Sequence, residues 1–272
     1  MSSNENMLIQ KYGDGLKEDN RFQKSHSTSL EFYYTKKHLS DYITNDSRIL
    51  EVGCATGYYG VYYSDKCKEY LGVDIVPNHI KVFNDKIMNL ELKNVSCQVG
   101  DATDLREIDS KSFDVVLCLG PMYHLPPDER DKVFKECYRV CVDGGIVAFA
   151  YLNQVGEYAG VCVHDEWRKG YPNARANKMI FENCTDDVHP YIYYYTMPEE
   201  IEQVALANGF EKVANRGLDF SFLACVINEI SEEKFELFIP LYDKMASCES
   251  CTGMSSHALL ICRKDVKKIK KT

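Results

Sequence analysis

An acidic residue and three glycines near the start of the chain have the types and spacing of a ligand-binding turn. Glu51 lies in a short apolar run, and Gly53, Gly57 and Gly60 follow that run. Glycine adopts positive φ without strain and lets a ligand approach the backbone closely. Such a turn after a buried strand is typical of nucleotide binding in open α/β sheets. A charged side chain inside the apolar run also requires a polar partner.

A second acidic residue supports a nucleotide-type ligand. Asp74 ends the apolar run Glu69–Ile75, about 20 residues after the first glycine, where a carboxylate accepts hydrogen bonds from a ribose diol. Nicotinamide and flavin enzymes favour the spacing G-x-G-x-x-G. Here Cys54, Ala55 and Thr56 separate the first two glycines, and the chain has no P-loop Gly-Lys-Ser/Thr. The spacing therefore disfavours a nicotinamide-dependent oxidoreductase, which stays open as the lesser alternative.

A third group of residues follows the fourth apolar run, in the segment GPMYHLPP. Gly120 and Pro121 break that strand, and the turn directs Tyr123 and His124 toward the cleft above the glycines. Imidazole titrates near neutrality, so His124 is a candidate general base. Packing and ligand orientation are the competing roles for both side chains.

Two of these motifs resemble one enzyme family. The pattern E-x-G-x-x-x-G-x-x-G, from Glu51 to Gly60, resembles motif I of class I S-adenosylmethionine-dependent methyltransferases. The segment GPMYHL resembles the G-P-[LM]-Y-H-L of a bacterial branch of small-molecule-type methyltransferases. The resemblance covers Leu30 to Arg263 and is strongest from Ile49 to Gly145. It implies S-adenosylmethionine as cofactor, S-adenosylhomocysteine as its product and a small-molecule methyl acceptor.

The resemblance also assigns a set of residues to the cofactor. Asp101 would accept a hydrogen bond from the adenine amine and Ala102 would offer its backbone amide, although Asp101 is equally suited to an Asx-turn. The predicted cofactor residues are Glu51, Gly53, Cys54, Gly57, Asp74, Ile75, Asp101, Ala102, Leu119 and Gly120.

The implied reaction is an in-line displacement, which needs an aligned and desolvated nucleophile more than a catalytic side chain. An amine has only to arrive neutral, whereas a hydroxyl requires a general base, for which His124 and His164 are the candidates. Tyrosines near carboxylates in the second half of the chain favour an amine acceptor held by cation–π contacts. Core packing is the competing explanation for those tyrosines. The predicted substrate residues are Tyr123, His124, His164, Tyr193 and Tyr195, with Tyr123 and His124 also the catalytic candidates.

Two further alternatives concern the site as a whole. A module that binds S-adenosylmethionine without turnover would keep the cofactor residues but would not need a substrate cleft. Cys248 and Cys251 form a single C-x-x-C with His257 nearby, which is half of a zinc site, but no second pair follows at similar spacing. We therefore predict no metal.

The elements that position these residues alternate along the chain. From Arg48 to Tyr151, strands and helices follow one another as in a doubly wound, Rossmann-like α/β fold. The predicted strands are Ile49–Val52, Glu69–Ile75, Val95–Val99, Ser112–Leu119, Ile146–Tyr151, Phe210–Leu218 and His257–Arg263, seven in all. The predicted helices are Leu30–Ile43, Val61–Ser64, Pro77–Leu90, Asp128 to the stop at Gly144-Gly145, Pro198–Asn208 and Glu232–Ser247. The resemblance implies a mostly parallel sheet whose last strand is antiparallel.

The pattern also divides the chain into segments. Residues 1–47 are predicted to form an N-terminal helical segment that covers the site, and residues 48–151 the cofactor-binding core. Residues 152–197 lose periodicity and are longer than an ordinary connection, which predicts a cap insertion. Residues 198–263 return to the sheet, and residues 264–272 form a basic tail.

The composition is that of a globular protein, with 45% hydrophobic and 27% charged residues among 272. No apolar run approaches the roughly 20 residues that span a membrane, and the first residues have no secretory signal pattern, so a cytoplasmic location is expected. A net charge of −9 opposes nucleic-acid binding. Twelve cysteines spread through a long chain indicate reduced thiols rather than a disulfide framework. A monomer or homodimer is expected.

Overall fold

The structure is a computed structural model that describes residues 3–13, 19, 21, 24–163, 173–183 and 193–265. The helices are α1 Ser3–Tyr12, α2 His26–Leu39, α3 Tyr58–Tyr63, α4 Pro77–Asn89, α5 Pro127–Val140, α6 Gln154–Val163, α7 Ala174–Phe181, α8 Pro198–Ala207, α9 Ala224–Ile227 and α10 Glu232–Ser247. The strands are β1 Arg48–Val52, β2 Glu69–Asp74, β3 Val95–Val99, β4 Phe113–Cys118, β5 Cys141–Asn153, β6 Tyr195–Thr196, β7 Phe210–Gly217 and β8 His257–Lys264. Among these helices, none has both the length and the apolar character needed to cross a membrane.

The strands form one sheet in the order β3-β2-β1-β4-β5-β8-β7. β1 pairs in parallel with both β2 and β4, and β4 pairs in parallel with β5. β8 is antiparallel to its neighbours β5 and β7. The chain builds the sheet outward in both directions from β1, so the strand order reverses there, which is where open α/β sheets bind ligands. The predicted doubly wound sheet with an antiparallel last strand is confirmed.

The sheet has eight strands rather than the predicted seven. The additional strand is β6, whose two residues pair in parallel with Leu152 and Asn153 at the end of β5. Two residues carry no readable alternation of apolar and polar side chains, so the hydrophobic pattern did not predict this strand. Its pairing brings the end of the predicted cap beside the sheet.

Four predicted helix boundaries were wrong by three residues or more. α2 ends at Leu39 rather than Ile43, and α3 begins at Tyr58, directly after Gly57, rather than at Val61. α2 begins at His26 rather than Leu30, because the Ser25 side chain caps the backbone amide of Thr28 in a reciprocal capping box. α5 ends at Val140 rather than at Gly144-Gly145, because Cys141 is already extended and pairs with Phe113 across β4. The glycine pair therefore lies within β5.

Both faces of the sheet are covered, as a parallel sheet requires. On one face, β1 residue Ile49 belongs to a buried cluster with Phe32 of α2, Tyr59 of α3 and Phe83 of α4. On the other face, buried residues of the sheet pack against α5 and α8; this second cluster includes Leu50, Val52, Val133, Phe134, Ile201 and Ala205. From Ile49 to Val52, β1 is buried, and it can place the glycine turn at a fixed position because both of its faces are packed.

Candidate active site

A cavity of about 370 Å³ lies at the carboxyl ends of β1, β2 and β4. It is lined by every predicted cofactor residue except Gly57, and by four of the five predicted substrate residues, Tyr123, His124, Tyr193 and Tyr195. The fifth, His164, lies outside the described residues. One cavity therefore brings together the two groups of residues that the sequence singled out separately.

The glycine turn is fixed by backbone hydrogen bonds to β2. The amides of Gly53 and Cys54 both donate to the Val73 carbonyl, at 2.7 and 3.1 Å. Gly53 has a φ of +78°, and a β carbon there would lie 2.6 Å from Cδ of Pro121. The close approach of the glycine turn to the Gly120-Pro121 turn thus requires glycine at position 53.

Gly57 has a structural role instead of a place on the cavity wall. It caps α3 with a φ of +79°, and a β carbon there would lie 1.9 Å from the Phe83 ring. Gly60 and Gly72 also lie against Phe83, with corresponding distances of 2.3 and 2.7 Å. The Phe83 ring of α4 is thus seated among three glycines and locks the turn against the sheet.

Glu51 has the polar partner that its position requires. Its side chain is buried, and the hydroxyl of Tyr70 donates a hydrogen bond to its Oε2. Burial raises the pKa of Glu51 to about 8, the nearby Asp74 carboxylate adds to the rise, and the Tyr70 hydrogen bond opposes it. At neutral pH the Glu51 carboxyl is therefore mostly protonated and can donate a hydrogen bond as well as accept one.

The Cys54 side chain is buried and packs against Gly72. Burial, with the charge of the Asp74 carboxylate adding to it, raises the pKa of the Cys54 thiol well above its usual range. The thiol is therefore a packing group, and reactivity as a nucleophile is not expected of it.

Asp74 holds the glycine turn as well as lining the cavity. Its Oδ2 accepts a hydrogen bond from the Ala55 amide at 2.8 Å, and its Oδ1 accepts one from the Val76 amide at 2.9 Å. The Nδ1 of His79 lies 3.2 Å from Oδ1. A carboxylate has about four acceptor positions, so one remains for a ligand hydroxyl. The sequence analysis predicted neither this bracing role of Asp74 nor the presence of His79, which also lines the cavity.

Asp101 adopts the Asx-turn that the sequence left open. Its Oδ1 accepts a hydrogen bond from the Thr103 amide at 2.8 Å. Asp101 and Ala102 both line the cavity, so the turn places them there without preventing contact with a ligand. Ile75 and Leu119 supply apolar surface beside them.

Tyr123 and His124 lie together on the short helical turn after β4. The Tyr123 hydroxyl donates to the Leu119 carbonyl at 3.1 Å, which gives this tyrosine a positioning role. The Nε2 of His124 lies 3.4 Å from the Tyr12 hydroxyl, and its ring lies 5.1 Å from that of Tyr193. The Tyr12 and Tyr193 hydroxyls are 3.0 Å apart. Helix α1 therefore contacts the cavity wall through Tyr12, which the sequence did not single out.

The two cap tyrosines differ in their surroundings. Tyr195 is buried in β6, and Asn183 bonds both its backbone amide and its carbonyl, at 2.7 and 2.9 Å. Tyr193 is half-buried, and its hydroxyl accepts a hydrogen bond from Lys11 Nζ at 3.0 Å. Both rings line the cavity, so the end of the predicted cap contributes aromatic surface to the site.

The structure adds to the cavity lining a charged group that the sequence analysis missed. Arg21 donates two hydrogen bonds of 3.0 Å to the Glu31 carboxylate. His257 Nε2 lies 4.0 Å from Glu31 Oε2. Glu157 accepts a hydrogen bond from the Ser256 hydroxyl. Arg21, Glu31, Glu157 and His257 all line the cavity.

His257 is oriented by Asp219, which follows β7. The His257 Nδ1 donates to Asp219 Oδ2 at 2.7 Å, and Asp219 Oδ1 accepts from the Ser255 hydroxyl at 2.9 Å. Burial works to lower the pKa of His257, but the Glu31 and Asp219 carboxylates outweigh it and raise the pKa to about 9. Burial works to raise the pKa of Asp219, and the His257 charge and hydrogen bonds hold it below its usual range.

No local sequence signal identifies this group, because its members come from separate segments that only the fold brings together. The sequence places His257 near the C-x-x-C of Cys248 and Cys251 as a candidate zinc ligand. Within the described ranges, no cluster of three His, Cys, Asp or Glu side chains could hold a metal ion, and both cysteines are free thiols. His257 instead belongs to the charged group.

Comparison with known families matches residues 49–145 to one described as a methyltransferase domain. Those residues run from β1 into the start of β5 and contain the glycine turn, Asp74, Asp101 and the Tyr123-His124 turn. We name residues 49–145 the methyltransferase domain after this match. The remaining segments of the described structure add the β7–β8 edge of the sheet and further residues of the cavity lining.

Curated relatives are similar to about two fifths of this chain. A phosphoethanolamine N-methyltransferase of Plasmodium falciparum is 26% identical over 123 residues, covering 43% of this chain and 44% of the relative. A ubiquinone biosynthesis O-methyltransferase of Idiomarina loihiensis is 28% identical over 108 residues, covering 39% and 43%. An uncharacterized protein of Rickettsia prowazekii is 34% identical over 110 residues, covering 39% and 19%. The chain thus spans less than half the length of these relatives.

Solved structures share the fold of nearly the whole chain. A SAM-dependent methyltransferase from Methanosarcina mazei superposes with a TM-score of 0.57 at 17% identity, covering 85% of this chain and 98% of that one. A putative methyltransferase of Haloferax volcanii, solved in complex with the Trm112 activator, gives a TM-score of 0.60 at 15% identity, covering 95% and 98%. At these identities the likeness concerns the fold.

Proposed function

We propose that this protein is an S-adenosylmethionine-dependent methyltransferase that acts on a small molecule. The observation that carries the proposal is one cavity lined by two sets of residues: the glycine turn with Glu51, Asp74 and Asp101, and a charged and aromatic set of Glu31, Glu157, Tyr193 and His257. A cofactor and an acceptor bound together need both sets. A module that only binds the cofactor would not need the second, charged set.

The glycine turn and the acidic residues beside it fit the proposed cofactor. Asp74 retains an acceptor position for a ribose hydroxyl, and the protonated Glu51 can both donate and accept. The absence of side chains at Gly53 and Gly120 leaves the backbone of both turns open to a ligand. When bound, S-adenosylmethionine supplies an electrophilic methyl group to the nucleophilic atom of the acceptor.

We favour an amine as the acceptor, with a hydroxyl as the second possibility. The cavity lining offers groups that hold a cation by charge and by cation–π contact. They are the carboxylates of Glu31 and Glu157 and the ring of Tyr193. Arg21 and His257 balance part of that charge. The named relatives include both an N-methyltransferase and O-methyltransferases, so both acceptor classes belong in the screen.

We further propose that residues 1–47 and 152–197 close the site from outside the methyltransferase domain. Tyr12 of α1 meets His124 and Tyr193 at the cavity, and the Asn78 side chain donates to the Gly13 carbonyl at 2.7 Å. These contacts join the N-terminal segment, the domain and the end of the cap. They support a covered site from which water is excluded during transfer.

Calorimetric titration with S-adenosylhomocysteine and S-adenosylmethionine tests the cofactor assignment. We expect wild type to bind both with micromolar affinity and Asp74→Ala to bind about 100-fold more weakly or not at all. Asp65→Ala is the matched control. Among the described residues, the exposed Asp65 pairs with the neighbouring Lys66 alone, and it is absent from the cavity lining. Failure of wild type to bind either ligand would refute the proposal.

A screen of methyl transfer from isotopically labelled S-adenosylmethionine to amines and phenols then tests turnover. Transfer to an amine in preference to a phenol is expected. Tight cofactor binding with no transfer to any member of either class would favour the non-catalytic binding module.

A further inference from the structure

We propose that His257, oriented by Asp219, takes up the proton that the methyl acceptor loses. The inference rests on the proposed methyltransferase function and deepens it. It assigns the proton to a residue of β8 rather than to His124, and it defines the acceptor as a group that binds with an ionisable proton, an ammonium or a phenol.

The hydrogen bonds of Asp219 fix the orientation of the His257 ring. A carboxylate at neutral pH accepts hydrogen bonds and does not donate them, so the contact with Asp219 Oδ2 at 2.7 Å places a proton on His257 Nδ1. The other oxygen of Asp219 accepts from the Ser255 hydroxyl at 2.9 Å and from the His257 amide at 3.1 Å. Three donors thus hold the carboxylate, and the carboxylate holds the ring.

The remaining ring nitrogen faces the cavity. His257 lines the cavity, and its ring lies edge-on to Tyr123 with 6.1 Å between centroids. Its Nε2 lies 4.0 Å from Glu31 Oε2, which is longer than a hydrogen bond. In the described parts of the chain, no hydrogen bond to this Nε2 is formed. An imidazole held at Nδ1 by a carboxylate, with Nε2 open to a substrate, has the arrangement of a general base.

Charged groups approach His257 from several elements. Glu31 belongs to α2, Asp219 follows β7, Glu157 belongs to α6, and Arg21 lies beyond Glu31. The carboxylates outweigh burial and Arg21, so the pKa of His257 is raised to about 9. Ammonium and phenol groups have unperturbed pKa values near 10. The proton affinities of base and acceptor are therefore closely matched, which favours proton transfer within the site.

In the proposed step the acceptor N–H or O–H bond breaks, its proton goes to His257 Nε2, and its electron pair stays on the nitrogen or oxygen. An ammonium must lose this proton before it attacks, because it has no lone pair until then. The acceptor lone pair forms the bond to the methyl carbon, and the carbon–sulfur bond breaks with its electron pair left on sulfur. His257 must be neutral to accept that proton. Since its pKa lies near 9, the neutral fraction grows about tenfold from pH 7 to pH 8 and about fivefold from pH 8 to pH 9.

The first test needs neither cofactor nor turnover. NMR titration of the His257 imidazole is expected to give a pKa near 9 in wild type. In Glu31→Gln the pKa should fall by about one unit or more, because a carboxylate next to the ring is removed. A His257 pKa near 6.5 in both proteins would overturn the proposal.

The second test compares the effect of each variant on cofactor affinity with its effect on the rate of methyl transfer. His257→Gln should lower methyl transfer about 100-fold while its affinity for S-adenosylhomocysteine stays within about threefold of wild type. In Glu31→Gln the rise of rate with pH should move to lower pH by the same amount as the NMR titration. His26→Gln is the matched control, since His26 stacks on Phe235 and is absent from the cavity lining.

The outcomes separate this proposal from the methyltransferase function. If wild type binds the cofactor and transfers methyl groups, and His257→Gln is equally active, the proposed role of His257 is refuted. The methyltransferase function then stands. Wild type that neither binds nor transfers would refute the function. If His257→Gln fails to fold by circular dichroism, the pH shift in Glu31→Gln decides, and an unshifted rate profile would overturn the proposal.

Discussion

The Phe83 ring of α4 occupies the space that a side chain at Gly57 would need. A β carbon on Gly57 would lie 1.9 Å from Phe83 Cδ2, and the residue has a φ of +79°. The turn that shapes the cavity therefore depends on a ring that does not itself line it. Packing on α4 and conformation at the N-terminus of α3 are thus linked at one residue pair.

We expect Gly57→Ala to destabilise the protein by about 3 kcal/mol or more, because left-handed strain and overpacking each cost about 1–3 kcal/mol. Urea unfolding monitored by circular dichroism measures the loss. Gly253→Ala serves as control, since its nearest atom would lie 3.9 Å away, and a change within about 0.5 kcal/mol is expected there. Equal stabilities for the two variants would contradict the packing described for Phe83.

Glu51→Gln should change how stability depends on pH. The folded pKa of Glu51 is about 8, above the unfolded value near 4.3, so the wild-type protein binds this proton more tightly when folded and loses stability as pH rises between those values. Glutamine keeps an acceptor for the Tyr70 hydroxyl and cannot ionise. The free energy of unfolding of the variant, relative to that of wild type, should therefore increase by at least about 2 kcal/mol between pH 5 and pH 8. Unfolding curves that keep a constant difference over this range would show that Glu51 is not protonated in the folded state.

The His257–Asp219 pair gives a second pH window. The pKa of His257 is raised to about 9 from an unfolded value near 6.5. Its contribution to stability is complete below about pH 6.5 and is lost as pH rises through 9, by roughly 3 kcal/mol at most. His257→Gln should lack this loss, which thermal unfolding at pH 6.5, 8 and 9.5 would measure. The pKa of Asp219 is held low, so its own contribution is lost only as the solution becomes acidic. Parallel wild-type and variant curves would exclude an ionised pair.

Tyr193→Ala should lower kcat/KM for an amine acceptor about tenfold, the scale of one partly desolvated cation–π contact. Tyr193→Phe keeps the ring and removes the hydroxyl that meets Tyr12 and Lys11, so it separates the two contributions. Affinity for S-adenosylhomocysteine should not change in either variant. Tyr33→Ala is the control, because Tyr33 is 43% exposed and absent from the cavity lining. Unchanged amine turnover in Tyr193→Ala would remove the support for a tyrosine-held cation.

What the sequence determined by itself was local. The glycines after β1, the acidic residue at the end of β2 and the turn after β4 each combine a strand with the residues that follow it directly. Their types therefore predicted the doubly wound sheet and the cofactor-binding part of the cavity lining. The strand β6 and the ends of α2 and α5 depended on pairing or capping, and the hydrophobic pattern alone did not give them.

Only the tertiary structure brought together the charged group that lines the cavity around His257. Glu31, Asp219 and His257 belong to α2, the loop after β7 and the start of β8, and none has a neighbour in sequence that indicates its partner. Their charges interact because the antiparallel pairing of β7 with β8 and the packing of α2 bring them within a few ångströms of one another. Electrostatic interaction depends on distance in space and on burial, and neither quantity is encoded in the spacing of residues along the chain.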